Sequence, residues 1–279
     1  MPRREARSSG SNSPLRVPLA QACAAAFETL CRSPNWQAQI DQKKVSLIAD
    51  FGPGTGDKTA MWWKYLKGEE TAPNILLVDL SKPMLREACK PLAKIIESPV
   101  QLAALRAEFE RLSDYRALLP SRIITPEGRA IVLYLGQTAG NIGLAPSVVL
   151  AARNLRPGDL WVIGLELSRT RNGFVTNAEA VSKELYDNEE TRAVWARGAR
   201  VVTAGGSITK PRIEHHDKET FSVRGFHVDT RGRETCVFVS TRYSEERVVQ
   251  AFSEARLRLV ADAGAPLRPA YKLLVFEKL

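Results

Sequence analysis

Between Val45 and Leu167 the chain alternates two kinds of apolar pattern. Short, nearly uninterrupted runs (VSLIADF, NILLVDL, VQLAALRAEF, AIVLYLG and LWVIGLEL) are separated by segments whose apolar residues recur every three or four positions. Continuous runs predict strands buried on both faces, and the longer period predicts helices that cover them. The helical segments are DKTAMWWKYLKG, SKPMLREACKPLAKII, a short one around FERLSDYRALL, and APSVVLAARNL, which ends at the turn Arg156-Pro157-Gly158-Asp159. Strand and helix in alternation predict an α/β fold, a Rossmann-like doubly wound sheet of about seven strands. In such a fold ligands bind beyond the carboxyl ends of the strands.

After Leu167 the rhythm changes. SRTRNGFVTNAEAVSKELYDNEETRAVWARGA reads as a loop and then helix. Residues 201–241 carry β-like runs (VVTAGGSIT, TFSVRGFHVDT, TCVFVST) broken by glycine pairs and charged turns. A long helix is expected over SEERVVQAFSEARLRLVADAG, before a final strand, KLLVFEKL. This divides the chain into a disordered basic tail (1–14), a helical N-terminal extension (15–44) and a Rossmann-like cofactor-binding core (45–168). A β-rich insert placed as a substrate lid (169–235) follows. A strand–helix–strand unit (236–279) then completes the sheet with an antiparallel edge.

Composition adds limits. At 279 residues, with 44% hydrophobic and 25% charged residues, the chain suits one large domain with a modest appendage. No apolar run approaches the roughly 20 residues that a membrane-spanning helix needs, and Arg3 and Arg4 lack the apolar stretch of an export signal. The cysteines (Cys23, Cys31, Cys89, Cys236) are scattered, without a C-x-x-C pair, and the histidines complete no zinc pattern. Reduced thiols, a cytoplasmic location and no metal are therefore expected. The net charge of +9 is spread through the tail and over dispersed arginines such as Arg192, Arg197, Arg200, Arg256 and Arg258. It forms no tight basic cluster interleaved with aromatics, which argues against nucleic acid as a partner. The oligomeric state is left open.

Candidate chemistry centres on DFGPGTGDKT. A triphosphate loop fails at Asp57, which stands where the second glycine of G-x-x-x-x-G-K-[ST] belongs and would set a carboxylate against phosphate. A dinucleotide loop fails because the third glycine falls at 56, not 57, and Asp57 again opens the helix. What remains is D-x-G-x-G-x-G (Asp50, Gly52, Gly54, Gly56), the spacing used by S-adenosylmethionine-dependent methyltransferases of the Rossmann-like class. The glycines admit the methionine portion close to the backbone. Asp50 can meet its ammonium, directly or through water, and Lys58 its carboxylate. Asp79, closing NILLVDL, can accept both ribose hydroxyls. Glu108 can accept from the adenine amino group, with Phe109 against the ring face. Plain alternatives are a ligand-free turn for the glycines, a helix cap for Asp79 and a solvated charge for Glu108.

ADFGPGTGDKT, LLVDLS, LRAEF, LYLGQTAGNIG and LRPGD together resemble the histidine Nα-methyltransferases of ergothioneine biosynthesis, over about residues 45–168. The resemblance implies a class I methyltransferase fold, S-adenosylmethionine as cofactor, and contacts to it from Gly52, Lys58, Asp79, Glu108 and Phe109. The element Gly136-Gln137-Thr138-Ala139-Gly140-Asn141 adds Gln137 and Thr138 to the cofactor set. It also places Asn141 on the amino-acid end of the substrate. Outside that core the pattern departs: residues 15–45 contain no tyrosine, where the family encloses its substrate with tyrosines. The family's T-E-x-S becomes Thr241-Arg242-Tyr243-Ser244. Arg for Glu reverses the charge that would face an imidazole, and suggests an anionic group held by two hydrogen bonds. Ser244 and Trp195 join Arg242 as candidate substrate contacts; Tyr186 and Trp195 as candidate lid residues. Tyr186 or Tyr243 would steer the amine lone pair, with Asn141 holding the substrate.

The function this implies is methyl transfer to a small molecule, the amine of an amino acid or related metabolite, in biosynthesis. Three alternatives stay open: a cyclase that releases methylthioadenosine, a silent S-adenosylmethionine-binding scaffold, and an RNA methyltransferase.

Overall fold

The computed structural model describes residues 18–67, 72–98, 101–108, 115, 128–136, 138–171, 174–200 and 205–279. The expected N-terminal tail, the expected helix around residues 109–119 apart from Tyr115, and the candidate residues Phe109 and Gln137 lie outside them. Helices α1 (Leu19–Cys31) and α2 (Pro34–Gln42) lead into strand β1 (Val45–Phe51), α3 (Asp57–Leu66), β2 (Asn74–Asp79), α4 (Lys82–Ala93) and β3 (Leu102–Arg106). Then come β4 (Arg129–Tyr134), the short α5 (Thr138–Ile142), α6 (Leu144–Asn154) and β5 (Leu160–Glu166). Strands β4 and β5 are buried at every position, because helices cover both faces of the sheet.

The chain next builds a separate layer. It consists of the short pair β6 (Thr170–Arg171) and β7 (Phe174–Val175), helix α7 (Ala178–Val181), a π-helix (Ser182–Tyr186) and α8 (Glu189–Arg200). It continues through β8 (Ser207–Ile208), β9 (Arg212–His215), β10 (Phe221–Val228) and β11 (Glu234–Arg242). Strands β8, β9 and β11 all pair with β10, and the sheet buries Phe221 and Val223 against Val181, Tyr186 and Trp195. The expected boundary at 235/236 therefore falls inside β11, which pairs with β10 from Glu234 to Arg242 and belongs to the insert.

The C-terminus corrects a second expectation. Helix α9 covers only Glu245–Glu254, and the rest of the expected long helix is a strand, β12 (Leu257–Ala265), hairpinned to β13 (Arg268–Lys278). Arg256 takes a left-handed backbone conformation (φ 60°) that ends the helical run. Beyond it Ala261, Ala263 and Ala265 are buried on one face, the two-residue period of a strand, while Leu257 is buried on the other, across the register shift between Leu259 and Ala261.

The main sheet has the order β12-β13-β5-β4-β1-β2-β3. Strands β1 to β5 run parallel, and β13 is antiparallel to both its neighbours. The antiparallel strand is thus internal, and β12 forms the edge. This is the seven-stranded Rossmann-like architecture expected of a class I methyltransferase. Helices α1 and α2 pack on the β12–β13 side and on α3, through Phe27 and Trp36 against Trp62 (ring centroids 4.7 and 5.5 Å). The insert leaves and rejoins this core at one corner, where the Ser168 N–H donates to the Tyr243 carbonyl at 2.9 Å. No helix among the described residues is long and apolar enough to cross a membrane, and all four cysteines are free thiols.

Candidate active site

Parallel pairing brings the ends of β1 and β2 level, with Asp50 opposite Leu77 and Phe51 opposite Val78. Past those ends the chain turns sharply. Gly52 N–H donates to the Val78 carbonyl (2.9 Å), and Gly56 N–H to that of Pro53 (3.1 Å). Gly56 (φ 82°) is the residue before α3, and a Cβ there would stand 2.2 Å from the Ala88 carbonyl oxygen of α4. Only glycine lets the two helices come this close. Gly54, also left-handed, faces open space.

Asp50 is wholly buried beneath this loop. Its Oδ2 accepts from the Thr59 hydroxyl at 2.6 Å, while Oδ1 has no partner. Burial pushes its pKa up to about 6, against lowering by the Thr59 hydrogen bond and the Lys58 ammonium; the nearby Asp79 adds to the rise. A buried carboxylate oxygen without a donor is costly. It fits a site completed by a cationic group.

The end of β4 closes the other side. Thr138 Oγ1 would lie 3.5 Å from a Cβ on Gly52, and Lys58 Nζ 3.0 Å from one on Gly136. Asp79 is half-buried at the end of β2, its Oδ1 accepting from the Ser81 N–H at 2.8 Å. Ser81, not Asp79, caps α4, through Met84 N–H (3.4 Å). Ala107 N–H donates to the Asp79 carbonyl (3.2 Å), which sets Glu108, exposed, beside the same rim. The geometry thus gathers Asp50, the three glycines, Lys58, Asp79, Glu108 and Thr138 at the carboxyl ends of β1 to β4.

The residues assigned to substrate separate into two groups. Asn141 is exposed on α5, which lies against β11. Arg242, at the end of β11, is fully buried. Its Nη1 donates to Ser240 Oγ (2.7 Å) and the Thr241 carbonyl (3.3 Å), and its Nη2 to the Tyr186 hydroxyl (2.6 Å). Its Nε has no partner, and among the described residues no carboxylate pairs with it. Among the described residues Arg242 makes no ion pair with the nearby Glu245, which pairs with Lys272 instead. Tyr186 ends the π-helix, a distortion that re-aims a side chain and recurs at functional sites.

The second group has structural employment. Ser244 caps α9, accepting from Arg247 N–H (3.2 Å) and donating to Glu219 Oε2 (2.9 Å). Tyr243 Oη accepts from Leu144 N–H at the start of α6 (3.1 Å). Trp195 stacks on Phe238 (centroids 4.8 Å) inside the insert, over Gly225, whose missing Cβ would stand 2.5 Å from its ring. It is part of the insert's core rather than a lid over the site. Sequence reasoning overlooked Tyr271 and Cys23, which lie under the cradle, and the buried pair Glu166–Arg268 (2.8 Å) at the end of β5. Their only signal was the hydrophobic context around them.

A family model described as histidine-specific methyltransferase, SAM-dependent, matches residues 32–189, more than half of the chain. The chain belongs to this family. The methyltransferase is also 26% identical over 231 residues to the histidine N-alpha-methyltransferase of Mycolicibacterium smegmatis, covering 76% of this chain and 69% of that one. Solved structures similar to the methyltransferase include the CcbJ methyltransferase of Streptomyces caelestis (14% identity, TM-score 0.47, 95% and 92% of the two chains). The sugar N-methyltransferase KedS8 of Streptoalloteichus is another (16%, 0.45, 93% and 89%). Membership favours methyl transfer over the cyclase reading. S-adenosylmethionine is the cofactor, and the orphaned Asp50 Oδ1 beside Lys58 suits its ammonium and carboxylate.

Proposed function

We propose that the methyltransferase methylates the amine of an amino-acid-like metabolite that carries a second carboxylate, and that histidine is not its preferred acceptor. Arg242 carries this reading. A guanidinium has five N–H donors; three are committed to Ser240, Thr241 and Tyr186, leaving the Nε–H and one on Nη2. Two remaining donors match one carboxylate. A fully buried cation with no counter-charge among the described residues is a costly arrangement, and an anionic ligand relieves it. An imidazolium or a trimethylammonium group beside it would add repulsion.

Bound S-adenosylmethionine supplies an activated methyl group, so this chain need furnish no covalent nucleophile. Asp50, Lys58, Asp79 and Glu108 hold the cofactor, and Thr138 closes the cradle against Gly52. Asn141 holds the amino-acid end of the acceptor, while Arg242, braced by Tyr186, holds its far end. Fixing both ends aligns the amine with the methyl carbon, and positioning of that kind supplies about 7–11 kcal/mol.

Mass spectrometry of products from histidine and from amino acids with one extra carboxylate tests the reading. The acidic acceptors should be methylated and histidine left largely unchanged. Arg242→Met should raise the KM for the acidic acceptor at least tenfold while S-adenosylhomocysteine affinity persists. Efficient histidine methylation by the native protein, unaltered by Arg242→Met, would overturn it.

A further inference from the structure

Tyr271, on β13, is fully buried and sits opposite Glu166 of β5. Its side chain crosses the sheet over Gly164. A Cβ on Gly164 would stand 2.4 Å from the Tyr271 hydroxyl oxygen, so any larger residue there would displace the phenol. Gly164 has no left-handed backbone to account for it; the room it leaves is the account. Through that gap the hydroxyl faces the Gly136 backbone and the Cys23 thiol of α1, yet closes no hydrogen bond to either. Cys23 in turn lies within electrostatic reach of Lys58 and Asp50. Lys58 Nζ hangs over Gly136. Two orphaned buried polar atoms, Asp50 Oδ1 and Tyr271 Oη, are therefore connected through Cys23 and Lys58.

A phenylalanine would fill the space without the penalty of an unpaired hydroxyl. We propose that Tyr271 is a positioning residue for the cofactor, tightening a hydrogen-bond chain from Gly136 N–H to Tyr271 Oη and from Tyr271 O–H to Cys23 Sγ when the cofactor is bound. The chain locks Gly136 and Thr138 against the Gly52 loop and keeps Lys58 over the turn. In this way the N-terminal helix and the penultimate position of the sheet, β13, share in cofactor binding without touching the cofactor.

Calorimetry with S-adenosylhomocysteine and thermal unfolding of the ligand-free protein read this out. Tyr271→Phe should leave the free protein's Tm unchanged or higher, and weaken S-adenosylhomocysteine about three- to tenfold, the worth of one hydrogen bond. The KM for S-adenosylmethionine should rise, with kcat and the acceptor KM held. Gly164→Ala, which pushes the hydroxyl aside, should cost similar affinity in the native background and much less when combined with Tyr271→Phe. Cys23→Ser, which keeps an acceptor, should bind as the native protein does. A Tyr271→Phe protein of lowered Tm and native affinity would reduce Tyr271 to packing and overturn the proposal. So would a Gly164→Ala penalty equal in both backgrounds.

Discussion

Replacing Asp50 by Asn separates what the cofactor site needs from what the fold prefers. In the native protein this carboxyl titrates at about 6, against an ordinary 3.8, chiefly because burial opposes its charge. Between those two values the folded chain binds a proton that the unfolded chain has released. Stability from this group is therefore fully present below pH 4 and falls as pH rises towards 6, by about 3 kcal/mol in all. Asn keeps an acceptor for the Thr59 hydroxyl and cannot ionise. The stability of the variant minus that of the native protein should consequently grow by about 3 kcal/mol between pH 3 and pH 7 and then level off. Any fixed cost of the amide's unpaired N–H cancels from that change. Cofactor affinity should move the other way: losing the charged partner of an ammonium costs about 1.5–3 kcal/mol, roughly ten- to a hundredfold in Kd. Denaturant unfolding across pH, with calorimetric titration of S-adenosylhomocysteine at pH 8, measures both. Parallel stability curves from pH 3 to 7, or unaltered affinity at pH 8, would refute the reasoning.

Two further substitutions probe the frame. Gly56→Ala sets a Cβ 2.2 Å from the Ala88 carbonyl in a backbone at φ 82°, and should lose at least about 2 kcal/mol of stability and most cofactor affinity, by thermal unfolding with and without ligand. Glu166→Gln removes the charge that the Arg268 guanidinium meets in three contacts of 2.8–3.0 Å in full burial; a loss of about 3–5 kcal/mol in denaturant unfolding is expected.

The parallel core was readable because each strand is a continuous apolar run and each helix keeps its own period. The glycine loop was readable too, since backbone geometry writes itself into sequence as glycine at fixed spacing. The C-terminus was not, because RLRLVADAGA satisfies both periods, and only the left-handed Arg256 and the hairpin partner β13 decide between them. Nor could sequence join Arg242 to Tyr186, 56 positions apart, or show that both are buried. Ser244 and Trp195 are candidates by residue type and by their place in the chain. Their neighbours in space, Glu219 and Phe238, show them serving a helix cap and an aromatic stack.

The hydrogen bond from Ser168 to Tyr243, where the insert's two connections meet, has a bearing on how such enzymes diversify. A head whose two connections meet at one stitched point can be exchanged for another of different length or shape while the strand register beneath it stays undisturbed. New acceptor preferences can then arise by transplanting that head, leaving the methyl-donor machinery as it was.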